Sequence, residues 1–280
     1  MKAIAIGLLV ALVGGAAACD SVLDVPAPSR IPAEILELPV NAELLVNGAV
    51  GDFECAFGAY VTLGGLIGEE LIDATQTADR FPYDRRDHQA SDRRYSVSGC
   101  EALGVYTPLQ TARASADNAL RLLGGWTDAE VPNRADLIAT AAAHSGYSLL
   151  LLGEGFCSTA ISVINADRTI TYGGEITRDS VFALAAARFT EAITAAQAAA
   201  NTDIEQMALV GRARTRLNQG RYAEAGADAA LVPPTYARNM TASSISGRRE
   251  NRVWAQNSAT SFAVSVGEPY RTYSTALDPR

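Results

Sequence analysis

The sequence predicts a mainly α-helical protein made of irregular helical hairpins, with one long loop inserted among them. Apolar residues recur at three- and four-residue steps over most of residues 35–233, which is the period of a helix with one buried face. Glycines and prolines stand where these stretches stop, as expected at helix ends. Residues 75–99 lose the period and become charged, so we expect them to form the loop.

The N-terminus has the pattern of a lipoprotein export signal. Lys2 precedes an apolar run at residues 4–13, small residues fill 14–18, and Cys19 follows. The run is too short to span a bilayer but suits a cleaved signal. We therefore expect residues 1–18 to be removed and Cys19 to carry acyl chains that hold the protein to a membrane. An ordinary secretory signal with a chance cysteine is the alternative.

Residues 19–34 are predicted to form an extended tether, because Pro26, Pro28 and Pro32 disfavour helix. The remaining residues, 35–280, are predicted to form one helical domain. No second apolar stretch reaches about 18 uncharged residues, so we expect no membrane-spanning helix after the signal.

The charge of the chain argues against nucleic acid as a partner. The formal net charge is -8, and the arginines of residues 85–94 alternate with aspartates. A protein that binds the phosphate backbone needs a continuous basic face. A polybasic membrane patch is excluded for the same reason.

Three long helices are predicted in the first half of the domain. The first follows Asn41, a plausible N-cap, and ends near Gly68. The second covers 106–123 and stops at a glycine pair, and the third covers 134–156 and is rich in alanine and leucine.

Three further helices are predicted in the second half. The first is capped by Thr177, the next runs from Asp203 to Gly220, and a short alanine-rich helix ends before Pro233. Residues 165–177 are expected to be a polar loop. The apolar alternations at 252–255 and 262–266 are expected to be strands or loop.

The remaining cysteines, Cys55, Cys100 and Cys157, predict one disulfide and one free thiol in an oxidising compartment. The sequence leaves the pairing open. A metal site is not expected, because no Cys-x-x-Cys or Cys-x-x-His spacing occurs.

A Gly-x-Tyr-x-x-Ala core at Gly220, Tyr222 and Ala225 resembles a tetratricopeptide repeat, a hairpin in which small residues let two helices approach closely. Residues 134–156 with 179–199 form a degenerate version of it, so tetratricopeptide-like hairpins are predicted over about 134–233. A generic helical bundle is the alternative.

Together with the export signal and the hairpins, three motifs resemble the SusD/RagB family from about Cys19 to Arg280. They are Cys-Asp-x-x-Leu-Asp-Val-x-x-Pro at 19–28, Tyr-Thr-Pro-Leu at 106–109 with the residues 113–118 after it, and Gly-Tyr-Ser-Leu-Leu-Leu-Leu-Gly-Glu at 146–154. The resemblance implies a lipid-anchored outer-membrane protein at the cell surface that captures nutrients, often glycans, for a SusC-like TonB-dependent transporter. Chains of this family continue well past this length, so we expect the C-terminal part of the family fold to be missing here.

Sugar capture needs aromatic faces and planar polar groups, and the charged loop contains both. The candidate ligand-binding residues are Phe81, Tyr83, Arg85, Arg86, Asp87 and Tyr95. A solvated loop, or a surface for the transporter, is the alternative. Trp254 and residues 270–273 are second candidates.

We expect no enzymatic activity and no cofactor, because the Gly-x-Ser-x-Gly, Ser-x-x-Lys and His-Glu-x-x-His motifs do not occur. His144 is expected to be packed or to face a partner, and Asp117 and Glu154 are expected to bond backbone or neighbouring helices. The rival function is a tetratricopeptide adaptor lipoprotein that assembles outer-membrane proteins.

Overall fold

The computed structural model describes residues 31–87, 97, 99–245, 247–258, 262–268 and 270–271. The predicted signal, Cys19 and most of the tether lie outside these residues, as does Tyr95. Residues 31–38 belong to a first unit of the chain, and they contain the short helix α1 (Ala33–Leu36). The last two residues of the predicted tether therefore belong to a helix.

The second unit, residues 39–280, is mainly helical in its described part, as the sequence predicts. Its α-helices are α2 (Ala42–Ile67), α3 (Phe81–Asp84), α4 (Tyr106–Gly125), α5 (Arg134–Gly155), α6 (Arg178–Ala198), α7 (Thr202–Asn218), α8 (Tyr222–Ala229) and α9 (Arg252–Ser258). Short 3-10 helices occur at Pro39–Asn41, Cys100–Ala102 and Gly247–Arg249.

The long helices pack in chain order. From α4 to α8 each helix contacts the next, α2 packs against α4, and α5 also contacts α2 and α7. Helix α5 is therefore central, which explains why it is apolar on nearly every side. Packed hairpins over 134–229 confirm the helical architecture, and their assignment to tetratricopeptide repeats stays a prediction.

The structure distinguishes two predicted caps. The Thr177 hydroxyl accepts a hydrogen bond from the Ser180 amide at 3.3 Å and starts α6. Asn41 precedes α2 as predicted, but its side chain does not cap the helix.

The described strands form three two-stranded antiparallel ribbons. They pair β1 (Leu71–Asp73) with β6 (Val264–Val266), β2 (Ser158–Ala160) with β5 (Glu175–Thr177), and β3 (Val163–Ile164) with β4 (Ile170–Thr171). Residues 165–177 were predicted to be loop, yet β4 and β5 take up five of them. Their pairing partners lie within 20 residues upstream, so short-range strand pairing decides this segment.

Both options for residues 252–255, strand and loop, are wrong, because these residues lie in helix α9. Asn251 Oδ1 accepts a hydrogen bond from the Trp254 amide at 3.0 Å, which starts a helix despite the alternating pattern. The strand option for 262–266 is confirmed at β6.

Two phenylalanines of α6 pack directly onto helix backbones at glycines. A Cβ atom on Gly146 would lie 2.8 Å from Phe189 Cδ1, and Gly211 on α7 meets the same ring. Gly153 makes the equivalent space for Phe182. These glycines allow α5, α6 and α7 to approach closely around fully buried rings.

Cys55 on α2 forms the disulfide with Cys100, with their Cα atoms 5.6 Å apart, and Cys157 is free and exposed. One disulfide and one free thiol were predicted, and the tertiary structure determines which two cysteines form the disulfide.

Two described helical stretches, at 39–67 and 134–155, are long and apolar enough to cross a membrane by composition alone. Both pack within the helical unit, where 44% and 72% of their most apolar windows are buried. Buried core helices meet the same criterion of length and composition.

Candidate functional site

A cavity of about 820 Å³ opens where α2, α3, α4, the end of α5 and the β2–β5 ribbon meet. Small-molecule sites usually have volumes of about 300–1,000 Å³. Four aromatic rings line it, and we call it the aromatic cavity. The rings belong to Tyr60, Tyr83, Tyr106 and Phe156.

The rings come from helix faces and helix ends. Tyr106 is the first residue of α4 and Phe156 directly follows α5. Their centroids lie 5.0 Å apart in an edge-to-face arrangement, the favoured geometry for such pairs. A Cβ atom on Gly155 would lie 3.2 Å from Tyr60 Cε2, so this glycine gives the Tyr60 ring its room.

Hydrogen bonds hold the ribbon side of the cavity. The hydroxyl oxygens of Tyr106 and Thr159 lie 2.7 Å apart. Gln110 Nε2 donates to Thr159 Oγ1 at 2.8 Å and to the carbonyl oxygen of Ala160 at 3.1 Å. These hydrogen bonds therefore connect strand β2 to the first two turns of α4.

The described charged residues that line the cavity are both carboxylates, Glu154 and Glu175. Glu154 accepts from Arg214 Nε at 2.7 Å and Nη2 at 2.6 Å, and from Asn218 at 2.7 Å. Both partners lie on α7, so the prediction that Glu154 bonds a neighbouring helix is confirmed. This paired arrangement fixes the direction of its oxygens.

Burial raises the pKa of Tyr60 to about 12, with a smaller contribution from the negative charge of Glu154. Its hydroxyl therefore stays protonated at neutral pH and is available as a hydrogen-bond donor.

Of the ligand-binding residues predicted from the sequence, Tyr83 lines the aromatic cavity. The Arg85 guanidinium lies 5.2 Å from the Phe81 ring centroid and covers it. Arg86 donates to the Ile67 carbonyl oxygen at 3.0 Å and pairs with Glu69 at 2.6 Å. Phe81, Arg85 and Arg86 do not line the cavity, and neither does the exposed Asp87.

Sequence reasoning missed most of the cavity. Tyr60 lies within the first predicted helix, where it was not singled out, and Tyr106 was noted only as part of a motif. No sequence signal separated these rings from the aromatic residues of the core.

The predicted packing of His144 is confirmed. It is 2% exposed, Nδ1 donates to the Thr140 carbonyl oxygen at 2.7 Å, and the ring meets Phe53 edge-on at 5.4 Å. Of the second candidates, Trp254 and Tyr270 are exposed and lie outside the aromatic cavity, as does Arg271. Residues 272–273 lie outside the described residues.

Within the described ranges, the group of neighbouring potential metal ligands is Cys55, Cys100 and Glu101. The disulfide removes both thiolates from such a role, so this group does not suit a metal.

No protein-family model matches this chain. A comparison with curated proteins found no match either. The function is therefore argued from the aromatic cavity and from the motifs quoted above.

Proposed function

We propose that this protein binds glycan nutrients in the aromatic cavity and delivers them to a SusC-like TonB-dependent transporter. In this proposal Cys19 anchors it to the outer membrane at the cell surface. The observation that supports binding is the set of four aromatic rings around a cavity large enough for an oligosaccharide.

The walls offer both kinds of contact that a sugar needs. The apolar face of a pyranose ring stacks on an aromatic ring, for which Tyr60, Tyr106 and Phe156 are available. Sugar hydroxyls donate to carboxylates and exchange hydrogen bonds with hydroxyl groups, and Glu154 and Thr159 supply these.

We assign no reaction to the cavity. Glu154 has both oxygens on the Arg214 guanidinium, which holds it as an oriented anion and suits it to accept hydrogen bonds. This role is binding rather than proton donation.

Binding is tested by titrating the full chain with four neutral oligosaccharides in a calorimeter: maltoheptaose, cellohexaose, xylohexaose and mannohexaose. At least one should bind, and Tyr60→Ala and Phe156→Ala should each weaken binding by about two- to tenfold, since an aromatic contact contributes about 0.5–1.5 kcal/mol. Tyr172→Ala is the matched control, because Tyr172 is 81% exposed and lies outside the cavity.

Circular dichroism establishes that each variant is folded. The absence of binding by all four sugars at millimolar concentration, or unchanged affinity in the folded Tyr60 and Phe156 variants, would reject the aromatic cavity as the glycan site.

Delivery is tested by affinity capture of the protein from its native membrane followed by mass spectrometry. We expect a large TonB-dependent transporter in the complex. Cys19→Ala should move the protein to the soluble fraction, and acylation of that variant would contradict the lipid anchor.

One observation favours the adaptor function as a second candidate. The hairpin of α7 and α8 exposes apolar residues beside its turn, with Leu217 54% and Tyr222 71% exposed. If the same capture recovers assembly factors instead, and Leu217→Ser with Tyr222→Ser abolishes their recovery, the adaptor function replaces the transporter proposal.

A further inference from the structure

A second cavity, of about 590 Å³, lies between α4, α6 and strand β3. Three arginines line it, and we call it the arginine cavity. They are Arg113 and Arg121 on α4 and Arg188 on α6. None of its described lining residues lines the aromatic cavity, so the two are separate sites.

The apolar part of the arginine cavity is aliphatic. It consists of Leu120, Leu149, Ile161, Val163, Ile164 and Leu184. No aromatic ring occurs among the described residues that line it, so a sugar has nothing to stack on. This surface suits a flexible hydrocarbon chain.

Two of the three arginines are neutralised. Asp117 accepts from Arg113 at 2.8 Å and lies 3.0 Å from Arg188 Nη2. Arg188 also donates to Glu191 at 2.8 Å. The two positive charges on these guanidiniums are therefore balanced by the two negative charges of Asp117 and Glu191.

Arg121 is different. Its Nε and Nη2 both donate to Asn118 Oδ1, at 3.2 and 2.8 Å, and Asn118 is neutral. No carboxylate of the described chain pairs with Arg121 in this structure. One positive charge on the cavity wall is therefore uncompensated, with donors left over from the five of a guanidinium.

We propose that the arginine cavity binds an aliphatic carboxylate, with its carboxylate on Arg121 and its chain along the leucine and isoleucine side chains. A single negative charge matches the single uncompensated guanidinium. Arg113 and Arg188 are already paired with Asp117 and Glu191 and offer no free positive charge for a second negative charge, which favours a monocarboxylate over a phosphate ester. The proposal does not depend on glycan binding in the aromatic cavity.

The test is calorimetric titration of the full chain with octanoate below its micelle concentration, compared with octan-1-ol and octylammonium. We expect octanoate to bind at least about tenfold more tightly than the alcohol, since charge-assisted hydrogen bonds are about twice as strong as neutral ones. Octylammonium should not bind.

Substitutions at two positions locate the site. Arg121→Gln should reduce octanoate affinity to that of octan-1-ol, while Arg121→Lys retains part of it. Ala187 is exposed and lines the cavity, so Ala187→Trp should fill the space and abolish binding of all three probes without disturbing the core. Arg178→Gln is the charge-matched control, because Arg178 is exposed and lines neither cavity.

Equal affinity for octanoate and octan-1-ol would overturn the proposal. Binding unaffected by Arg121→Gln and Ala187→Trp, or no octanoate binding at millimolar concentration, would do so as well. Oligosaccharide affinity of Ala187→Trp, measured in parallel, should be unchanged.

Discussion

The hydroxyl groups of Tyr106 and Thr159 lie 2.7 Å apart and join the start of α4 to strand β2. This contact belongs to a chain of hydrogen bonds along α4. Gln110 bonds Thr159, and Arg113 Nε donates to Gln110 Oε1 at 3.0 Å. Arg113 then pairs with Asp117, so one helix face holds the walls of both cavities in place.

Gln110 is a positioning residue, because it holds the ribbon without lining the aromatic cavity. Gln110→Met keeps the length of the side chain but removes the hydrogen bonds that Gln110 makes with Thr159 and Arg113. We expect the free energy of unfolding to fall by about 1–3 kcal/mol and oligosaccharide affinity to fall with it, measured by urea unfolding and calorimetry. Thr111→Ala, one residue along and exposed, should change neither, and an unaltered affinity in the methionine variant would contradict the positioning role.

Asp117 neutralises two guanidiniums, one of which is almost fully buried. Arg113 is 3% exposed, so Asp117→Ala leaves a buried charge without its carboxylate. We expect a loss of about 3 kcal/mol in urea unfolding. Glu191→Ala removes the other, more exposed carboxylate of the cluster and should lower the free energy of unfolding by less than about 1 kcal/mol. Equal losses in the two variants would show that burial does not decide how much each carboxylate contributes to stability.

Gly146 makes the space for the Phe189 ring. Gly146→Ala should destabilise the protein by about 1–3 kcal/mol, because the added methyl overpacks the core, and Phe189→Leu in the same chain should recover part of the loss. Gly51 lies inside α2, and apart from the local helix backbone a Cβ atom on it would meet no atom within 4 Å. Gly51→Ala should therefore raise the free energy of unfolding by up to about 1 kcal/mol. Thermal unfolding measures both variants. If Gly146→Ala and Gly51→Ala both stabilise or both destabilise the protein, the space around each glycine does not decide the effect.

His144 should make stability depend on pH. Burial lowers its pKa from 6.5 to about 4, with Arg238 lowering it further and the Thr140 carbonyl and Glu54 opposing. Between these values the unfolded chain binds a proton that the folded protein does not, so the free energy of unfolding falls as pH falls from 6.5 to 4. By pH 5 the loss should be about 2 kcal/mol.

His144→Leu removes this contribution while leaving every other titrating group in place. Urea unfolding of both proteins at pH 7, 6 and 5 should show a shallower pH dependence in the leucine variant. Parallel curves for the two proteins would mean that His144 does not contribute to the acid sensitivity.

The long helices were predictable because their signals act over three or four residues. The apolar period of α2 and α4, the glycine pair that ends α4 and the Thr177 cap of α6 are all local. Helix α9 was not predicted, since its start depends on one Asn251 side chain that the alternating pattern concealed.

The candidate site was less predictable. Tyr83 was selected because aromatic and charged residues cluster near it, yet Arg85 covers Phe81 and Arg86 pairs with Glu69. These interactions engage the guanidinium groups of Arg85 and Arg86, which were expected to bind a ligand. Tyr60 and Phe156, in contrast, carry no sequence pattern that separates a cavity wall from a core.

The sequence alone determined the helical class, the positions of the long helices and the number of disulfides, because periodicity, capping and cysteine count are properties of short segments. Tertiary structure decided that Cys55 pairs with Cys100 and that Tyr60, Tyr106 and Phe156 surround one cavity. It also left Arg121 without a carboxylate among the described residues. The physical reason is that each of these depends on how distant helices pack against α5, and packing geometry is a property of the whole core rather than of any segment.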